Sequence, residues 1–384
     1  MLERRERKAP FQRSIRWPHR NKSITFQEFP IPPISTKAPI LMRYILFLLP
    51  ILFCYCRSET TENQLIVSVE KIALRSTPGL KGAEILTLRQ GEKLLDLGVV
   101  SHFESEISFG DEARRTPWLK VKTSDNLEGW VFAGAVNPTV PKDDWLLQKR
   151  LDCYFGHAFA SRRNTWTESL SGLQTDGQYA IVFRDAIAIR DSMVYLLGRR
   201  AEPEGVPDYR WLADVLPGFV YQRAAIGGPP HLFADYRFWL QKAQETSGIA
   251  DEAFLETCFM VFPQDSIESI FPVWKFQLSE LESASQLGTG VHGKVLQQID
   301  HTLAKSRLFE PELLRIKDAL LEDILDKNTQ FWQSGALAAQ ELAEIAATPP
   351  ACLSATEISA LQLRRAMLET AAENGIRANL RSGE

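Results

Sequence analysis

The hydrophobic pattern of this chain changes period once, and that change limits the fold more than any other feature. Between residues 65 and 132 apolar side chains fall into short alternating runs separated by turn residues. Beyond a connector at 137–144, which carries Pro138 and Pro141, they recur at steps of three and four. Alternation marks a strand with one buried face, and recurrence at three and four marks an amphipathic helix. The two patterns in series predict a multidomain fold, a small all-β domain at 63–138, a linker at 139–144 and a larger, mainly α-helical domain at 145–384. A chain of 384 residues with 45% hydrophobic side chains gives each part enough apolar surface for a core of its own.

Within the first part the runs Leu65-Ile66-Val67-Ser68-Val69, Ile72 to Arg75, Glu84 to Leu88, Lys93 to Val100, Trp118 to Thr123 and Trp130-Val131-Phe132 read as strands. Turn residues at Ser76 to Gly79, Gly91-Glu92 and Ser124 to Gly129 separate them. Five or six short strands in about 75 residues predict a small antiparallel barrel. The order Ala73-Leu74-Arg75-Ser76-Thr77-Pro78-Gly79, Gly91-Glu92, Leu97-Gly98, Trp118-Leu119-Lys120-Val121 and Glu128-Gly129-Trp130-Val131 resembles the bacterial Src homology 3 family. That resemblance implies a Src-homology-3-like barrel, a noncatalytic module of envelope proteins and cell-wall enzymes that in some members binds peptidoglycan peptides or proteins and in others is a spacer. A polar excursion at 101–117 departs from the family pattern and carries Phe103, Ile107 and Phe109 among charges. Loops of this kind shape ligand grooves. Phe103, Trp118, Trp130 and Phe132 are therefore candidate ligand-binding aromatics, with barrel core as the competing role for Trp118 and Trp130.

Ahead of the strands, Tyr44 to Phe53 (YILFLLPILF) is an apolar run of ten residues behind Met42-Arg43. It is too short for a membrane-spanning helix, which needs about 20 residues, and has the length of a signal-peptide apolar region. Translation is then expected to start at Met42, with 1–41 a leader irrelevant to the fold, 42–56 the signal segment and 57–62 a polar tether. Cysteine after the run resembles a bacterial lipoprotein signal, although Phe53 and Tyr55 stand where that family has a small residue. The resemblance implies acylation (palmitate class) at Cys56 or Cys54 and a lipid-anchored protein of the cell envelope. Cys56 lacks a following Asp, which resembles outer-membrane sorting.

Charge and motif searches narrow the chemistry. Residues 1–43 carry ten Lys and Arg against three Glu, so a formal net charge of −4 leaves −11 on the remainder. An acidic body repels phosphate backbones, and no nucleic-acid partner is expected. Cys153, Cys258 and Cys352 are widely spaced and uneven in number, and His157, His231, His292 and His301 are scattered, so neither a disulfide framework nor a metal is expected.

Helical periodicity is expected over 145–160, 178–197, 209–225, 232–245, 251–262, 266–286, 291–305, 310–335 extended through 336–347, and 354–380, with 179–189 ambiguous between helix and strand. Ser354 and Glu357 form a helix start. Phe233, Tyr236, Trp239 and Leu240 make a stripe at helical spacing that reads as core. Gly288-Thr289-Gly290-Val291-His292-Gly293-Lys294-Val295 has phosphate-loop spacing but ends in Val instead of Ser or Thr, and the segment before it reads as helix, leaving a flexible interhelical loop. Asp185 with Asp191, or Glu252 with Glu256, are the pairs a glycosidase would need. No catalytic residue and no cofactor is assigned. The expected function is noncatalytic binding or spacing of a cell-wall or protein ligand. The alternatives are a cell-wall hydrolase targeted by its Src homology 3 domain and a purely structural envelope protein.

Overall fold

The computed structural model describes residues 63–199, 209–223, 230–280 and 282–382, all within one compact unit. The features expected at 1–62, including the signal segment, Cys54 and Cys56, lie outside the described residues.

The first part is a seven-stranded antiparallel sheet: β1 (Gln64–Val67), β2 (Lys71–Arg75), β3 (Glu84–Arg89), β4 (Lys93–Phe109), β5 (Glu112–Lys122), β6 (Glu128–Phe132) and β7 (Val136–Pro138). Their spatial order is β3-β2-β6-β5-β4-β1-β7. One face buries Leu65, Val67, Leu74, Leu88, Leu94, Leu119, Val121 and Val131. Alternation then sends Trp118, Lys120, Trp130 and Phe132 to the other face, where Trp118 and Phe132 pack edge to face with ring centroids 5.8 Å apart.

The excursion at 101–117 is not a loop. It is a long hairpin in which Glu104 to Phe109 of β4 pair with Glu112 to Pro117 of β5, after register shifts between Asp96 and Val99 and between Val100 and Glu104. Phe103, Ile107 and Phe109 stand two and four residues apart, so the hairpin lays all three on the cluster around Trp118, Phe132 and Ala135. A sheet whose two faces are both apolar needs such a cover, and the chain supplies it by extending its own strands.

Ten helices follow among the described residues. The expected helix at 145–160 is two, α1 (Trp145–Phe155) and α2 (His157–Ser169), broken at Gly156 with φ +86°, a conformation that costs little only for glycine. The central element is α3 (Asp176–Gly198), opened by a capping box between Thr175 and Gln178, and the ambiguous stretch 179–189 is helix within it. Its Phe183 meets Trp239 and Phe254 edge to face at 4.9 and 5.4 Å, and Phe254 stacks on Phe309 at 4.5 Å.

Among the described residues 209–223 of the helix expected at 209–225, only the short α4 (Leu212–Val215) is helical, because Pro217-Gly218 stops it and β8 (Phe219–Arg223) begins. β8 pairs with β9 (Pro230–Ala234), so the helix expected at 232–245 is confined to α5 (Tyr236–Ala243), capped by Asp235. Trp239 and Tyr236 of the aromatic stripe are core, as read from the sequence. α6 (Ala250–Val261) follows. The segment 266–286 is not helical; Pro263, Pro272 and the left-handed Asp265 and Ser266 break it, and it ends in the hairpin β10 (Lys275–Gln277) and β11 (Ser283–Ser285). Then come α7 (Val291–Lys305), α8 (Glu310–Leu325), α9 (Gly335–Ala347) and α10 (Ala355–Glu369), the last opened by the expected Ser354 and Glu357 capping box.

The two parts share a polar seam. Helix α1 lays Trp145 and Leu146 on the sheet core and sets Cys153 between the cores of both parts. Lys149 meets Asp96 at 2.5 Å, Arg150 meets Glu104 at 2.6 Å, and the Tyr154 hydroxyl donates to the Ser101 carbonyl at 3.2 Å. Arg150 is buried and also lies over the Trp211 ring at 5.1 Å. Arg150→Ala leaves Glu104 with only the more exposed Arg115, and is expected to destabilise the fold by about 3 kcal/mol, since removing one member of a buried pair strands the other. The shift of the urea midpoint measures it, and Glu104→Ala combined with Arg150→Ala should cost less than the sum of the single changes.

Candidate functional site

The four aromatics named from the sequence meet on one cluster, with different exposures. Trp118 and Phe132 are fully buried, so neither offers a face to a ligand. Trp118 is further fixed by its indole N–H, which donates to Ser105 Oγ at 2.8 Å, and by its backbone N–H, which donates to Ser101 Oγ at 2.9 Å. Trp130 and Phe103 are half-buried and pack against that seat. In register, Trp130 sits between Arg75 on β2 and Lys120 on β5. The result is two partly exposed aromatics on a fully buried aromatic floor, with cationic residues beside Trp130. Such surfaces bind extended chains with little loss of side-chain entropy.

The glycine-rich stretch has a closer fit to strand, loop and helix than its sequence conveys, because β11 precedes it and α7 follows. It is not a flexible loop. The Glu341 carboxylate of α9 fills it: Oε2 accepts from the backbone N–H of Gly288 at 2.6 Å and of Gly290 at 2.9 Å, and Oε1 accepts from His292 at 2.9 Å and Gly293 at 3.1 Å. This is how a helix N-terminus holds an anion, with the anion supplied by the chain itself. Gly288 has φ +98°, and a Cβ there would lie 2.9 Å from the Ala338 nitrogen, so α9 approaches closely only because no side chain intervenes.

Beneath the loop, His292 Nε2 lies 3.2 Å from Asp323 Oδ2 and 3.5 Å from Ser285 Oγ. The residue types are those of a hydrolase triad. In a triad, however, the nucleophile and the orienting acid sit on opposite nitrogens of the histidine base; here both partners face Nε2, while Nδ1 has no hydrogen-bond partner and Glu341 Oε1 stands 3.9 Å from it. All of Ser285, His292 and Asp323 are buried, so the group ties β11, α7 and α8 together.

The carboxylate pairs weighed as glycosidase acids are held in separate ion pairs. Asp185 faces Arg162 at 3.6 Å, Asp191 faces Arg190 at 2.9 Å and Glu256 faces Lys305 at 3.2 Å. Glu252 differs. Burial first, then the neighbouring Asp251 carboxylate, pushes its carboxyl up to about 7, and its Oε2 is buried without a hydrogen-bond partner. It borders neither of the cavities found beside α2 and α9. Of the cysteines, Cys258 is buried and Cys153 and Cys352 half-buried; burial pushes the Cys352 thiol up to about 12, which suits packing better than nucleophilic attack. Among the described residues no cluster of His, Cys, Asp and Glu is arranged to hold a metal, and no helix is long and apolar enough to cross a membrane.

The cavity that sequence reading missed, about 480 Å³, lies where the 142–144 connector meets α1 and α2. Its polar residues come from three segments that no single motif joins.

Glu341→Gln places an amide N–H₂ against backbone donors and leaves two of the four unpaired. It is expected to cost about 2–4 kcal/mol, read by thermal or urea unfolding. The raised Glu252 carboxyl binds a proton more tightly in the folded chain than at its ordinary value of 4.5 in the unfolded one. Its stabilising contribution is therefore complete below about pH 4.5, falls as the pH rises to about 7 and is absent above. Glu252→Gln should raise the Tm at pH 8, leave it unchanged at pH 4 and flatten the slope between.

Comparison of the chain with protein-family models, with curated proteins and with solved structures finds no match in any of the three.

Proposed function

We propose that this chain is a noncatalytic lipoprotein of the cell envelope, anchored through Cys56 or Cys54, whose β-sheet curls as a Src-homology-3-like barrel and binds a cell-wall or protein ligand at its aromatic face. The observation that carries the reading is the half-buried pair Phe103 and Trp130 seated on the buried Trp118 and Phe132. Recognition surfaces of this kind work because the aromatic anchors are already immobile before the ligand arrives. Two further features support it. The apolar run and cysteines at 44–56 have the order of an acylated leader. The ion-paired seam with α1 holds the sheet on the helical body, so the aromatic face has a fixed direction relative to the larger part.

The test is retention of the full chain, extracted in detergent, on purified peptidoglycan sacculi. Phe103→Ala with Trp130→Ala is expected to weaken retention at least about tenfold, as loss of aromatic anchors does, while the Tm moves by only a few degrees. Intact mass is expected to begin at Cys56 or Cys54 with acyl chains attached. Wild-type protein that passes through the sacculi unretained removes the wall ligand. Retention unchanged in the double variant removes the aromatic face as its site.

A further inference from the structure

The cavity at the foot of α1 is organised in a way that the aromatic face is not. Across its floor runs a one-way chain of hydrogen bonds. Arg163 Nη1 donates to Asn164 Oδ1 at 3.2 Å, Asn164 Nδ2 donates to Gln148 Oε1 at 2.9 Å, and Gln148 Nε2 donates to Asp152 Oδ1 at 3.2 Å. Each amide is thereby fixed in orientation, and the relay starts at a cation and ends at an anion. In a concave site of a few hundred Å³, a small number of fixed polar groups sets the orientation of a bound small molecule; here polar and charged residues make up most of the lining.

The two ends are incompletely satisfied. The half-buried Arg163 side chain has the Val215 carbonyl at 2.6 Å and the Asn164 amide oxygen as its acceptors, both neutral. Among the described residues no carboxylate stands at ion-pair distance from it. Burial pulls the guanidinium below its usual range and Asp144 only partly offsets this. At the opposite end Asp152 carries His157 at 3.4 Å. Asp144 opens α1 from the left-handed region and its side chain makes no capping bond, so its carboxylate is not spent on the helix. With Asp143 and Glu168, four carboxylates line the cavity against Lys142 and Arg163, an excess of two negative charges when His157 is neutral.

We propose that this cavity binds a small ligand carrying both ammonium groups and a carboxylate, the chemistry of a basic amino acid or a short peptide containing one. The carboxylate pairs with Arg163, where a bidentate partner replaces the missing counter-ion. The ammonium groups face Asp143, Asp144 and Asp152. This is a second site, apart from the aromatic face, and stands or falls separately from it.

The probe is free lysine, titrated calorimetrically into the full chain at low salt, with cadaverine, which keeps both ammonium groups and lacks the carboxylate, as comparison. Lysine is expected to bind with a Kd in the millimolar range or below and at least tenfold more tightly than cadaverine. Arg163→Gln, which removes the cation, should bring lysine and cadaverine close to equal. Asp143→Asn with Asp144→Asn, both at exposed positions, should weaken both probes together without altering the Tm, which separates a binding loss from a folding loss. Absence of lysine binding up to about 10 mM, tenfold above the millimolar Kd expected, overturns the proposal. So does equal binding of the two probes to the wild type, or undiminished binding in the Asp143/Asp144 variant. Retention on sacculi is unaffected by these changes if the two sites are independent, and its loss would show that the cavity, not the aromatic face, holds the wall ligand.

Discussion

The helical body is held by charged side chains that reach across from one helix to close the backbone ends of another. Glu341 of α9 is the fullest case, since one carboxylate accepts four backbone N–H groups before and within the first turn of α7. The same solution recurs. Asp300 accepts the N–H groups of Ala351 and Cys352 ahead of α10, and the buried Arg364 donates to the carbonyls of Ile324 and Asp326 at the end of α8. Arg184 joins Glu312 through two bonds and adds the Leu308 carbonyl. An irregular array buries many helix ends, and each end carries unpaired backbone groups that cost free energy away from water. Long charged side chains satisfy them at a distance, and thereby fix which helices are neighbours.

That arrangement explains which parts of the fold were legible. Period-two alternation located β1, β2, β3 and β6 within a residue or two, because those strands bury one face and end at turns. The alternation of Phe103, Ser105, Ile107 and Phe109 was present as well, but the intervening charges made a solvent-facing hairpin read as a polar excursion. The capping box at Ser354 was local and therefore readable. In 266–286 the three- and four-residue spacing of Ile267, Ile270, Phe271 and Trp274 imitates a helix, but Pro263 and Pro272 prevent one. The content of the glycine-rich loop was not readable. Its anion lies some fifty residues downstream, and nothing near Gly288 distinguishes a loop awaiting phosphate from one already filled.

The same distinction separates the two surfaces proposed as functional. The aromatic face was visible in sequence because it is built from neighbouring strands whose residues alternate in register. Its sequence assignment still mixed two roles, since alternation puts Trp118, Trp130 and Phe132 on one face without saying how much of that face the hairpin covers. Only the packed structure divides them into a floor and a ridge. The cavity beside α1 offered no such pattern. Its relay joins Arg163 and Asn164 to Gln148 and Asp152 across the break at Gly156, which turns two helices where periodicity had predicted one.

The break itself links fold to site. Had α1 and α2 formed a single straight helix, Asn164 could not face Gln148 sixteen residues earlier, since sixteen residues of helix span about 24 Å. The left-handed Gly156 reverses the chain, and the hydrogen bond at 2.9 Å holds the reversal. Helix α1 is in turn held at Asp96 and Glu104 of the sheet through Lys149 and Arg150, which lie next to the cavity residues Gln148 and Leu151 in sequence. Successive residues of one helix therefore face the sheet and the cavity, so that a displacement of α1 large enough to admit or release a ligand would also strain the buried ion pairs of the seam. One helix therefore carries the side chains that tie the sheet to the helical body and those that line the cavity.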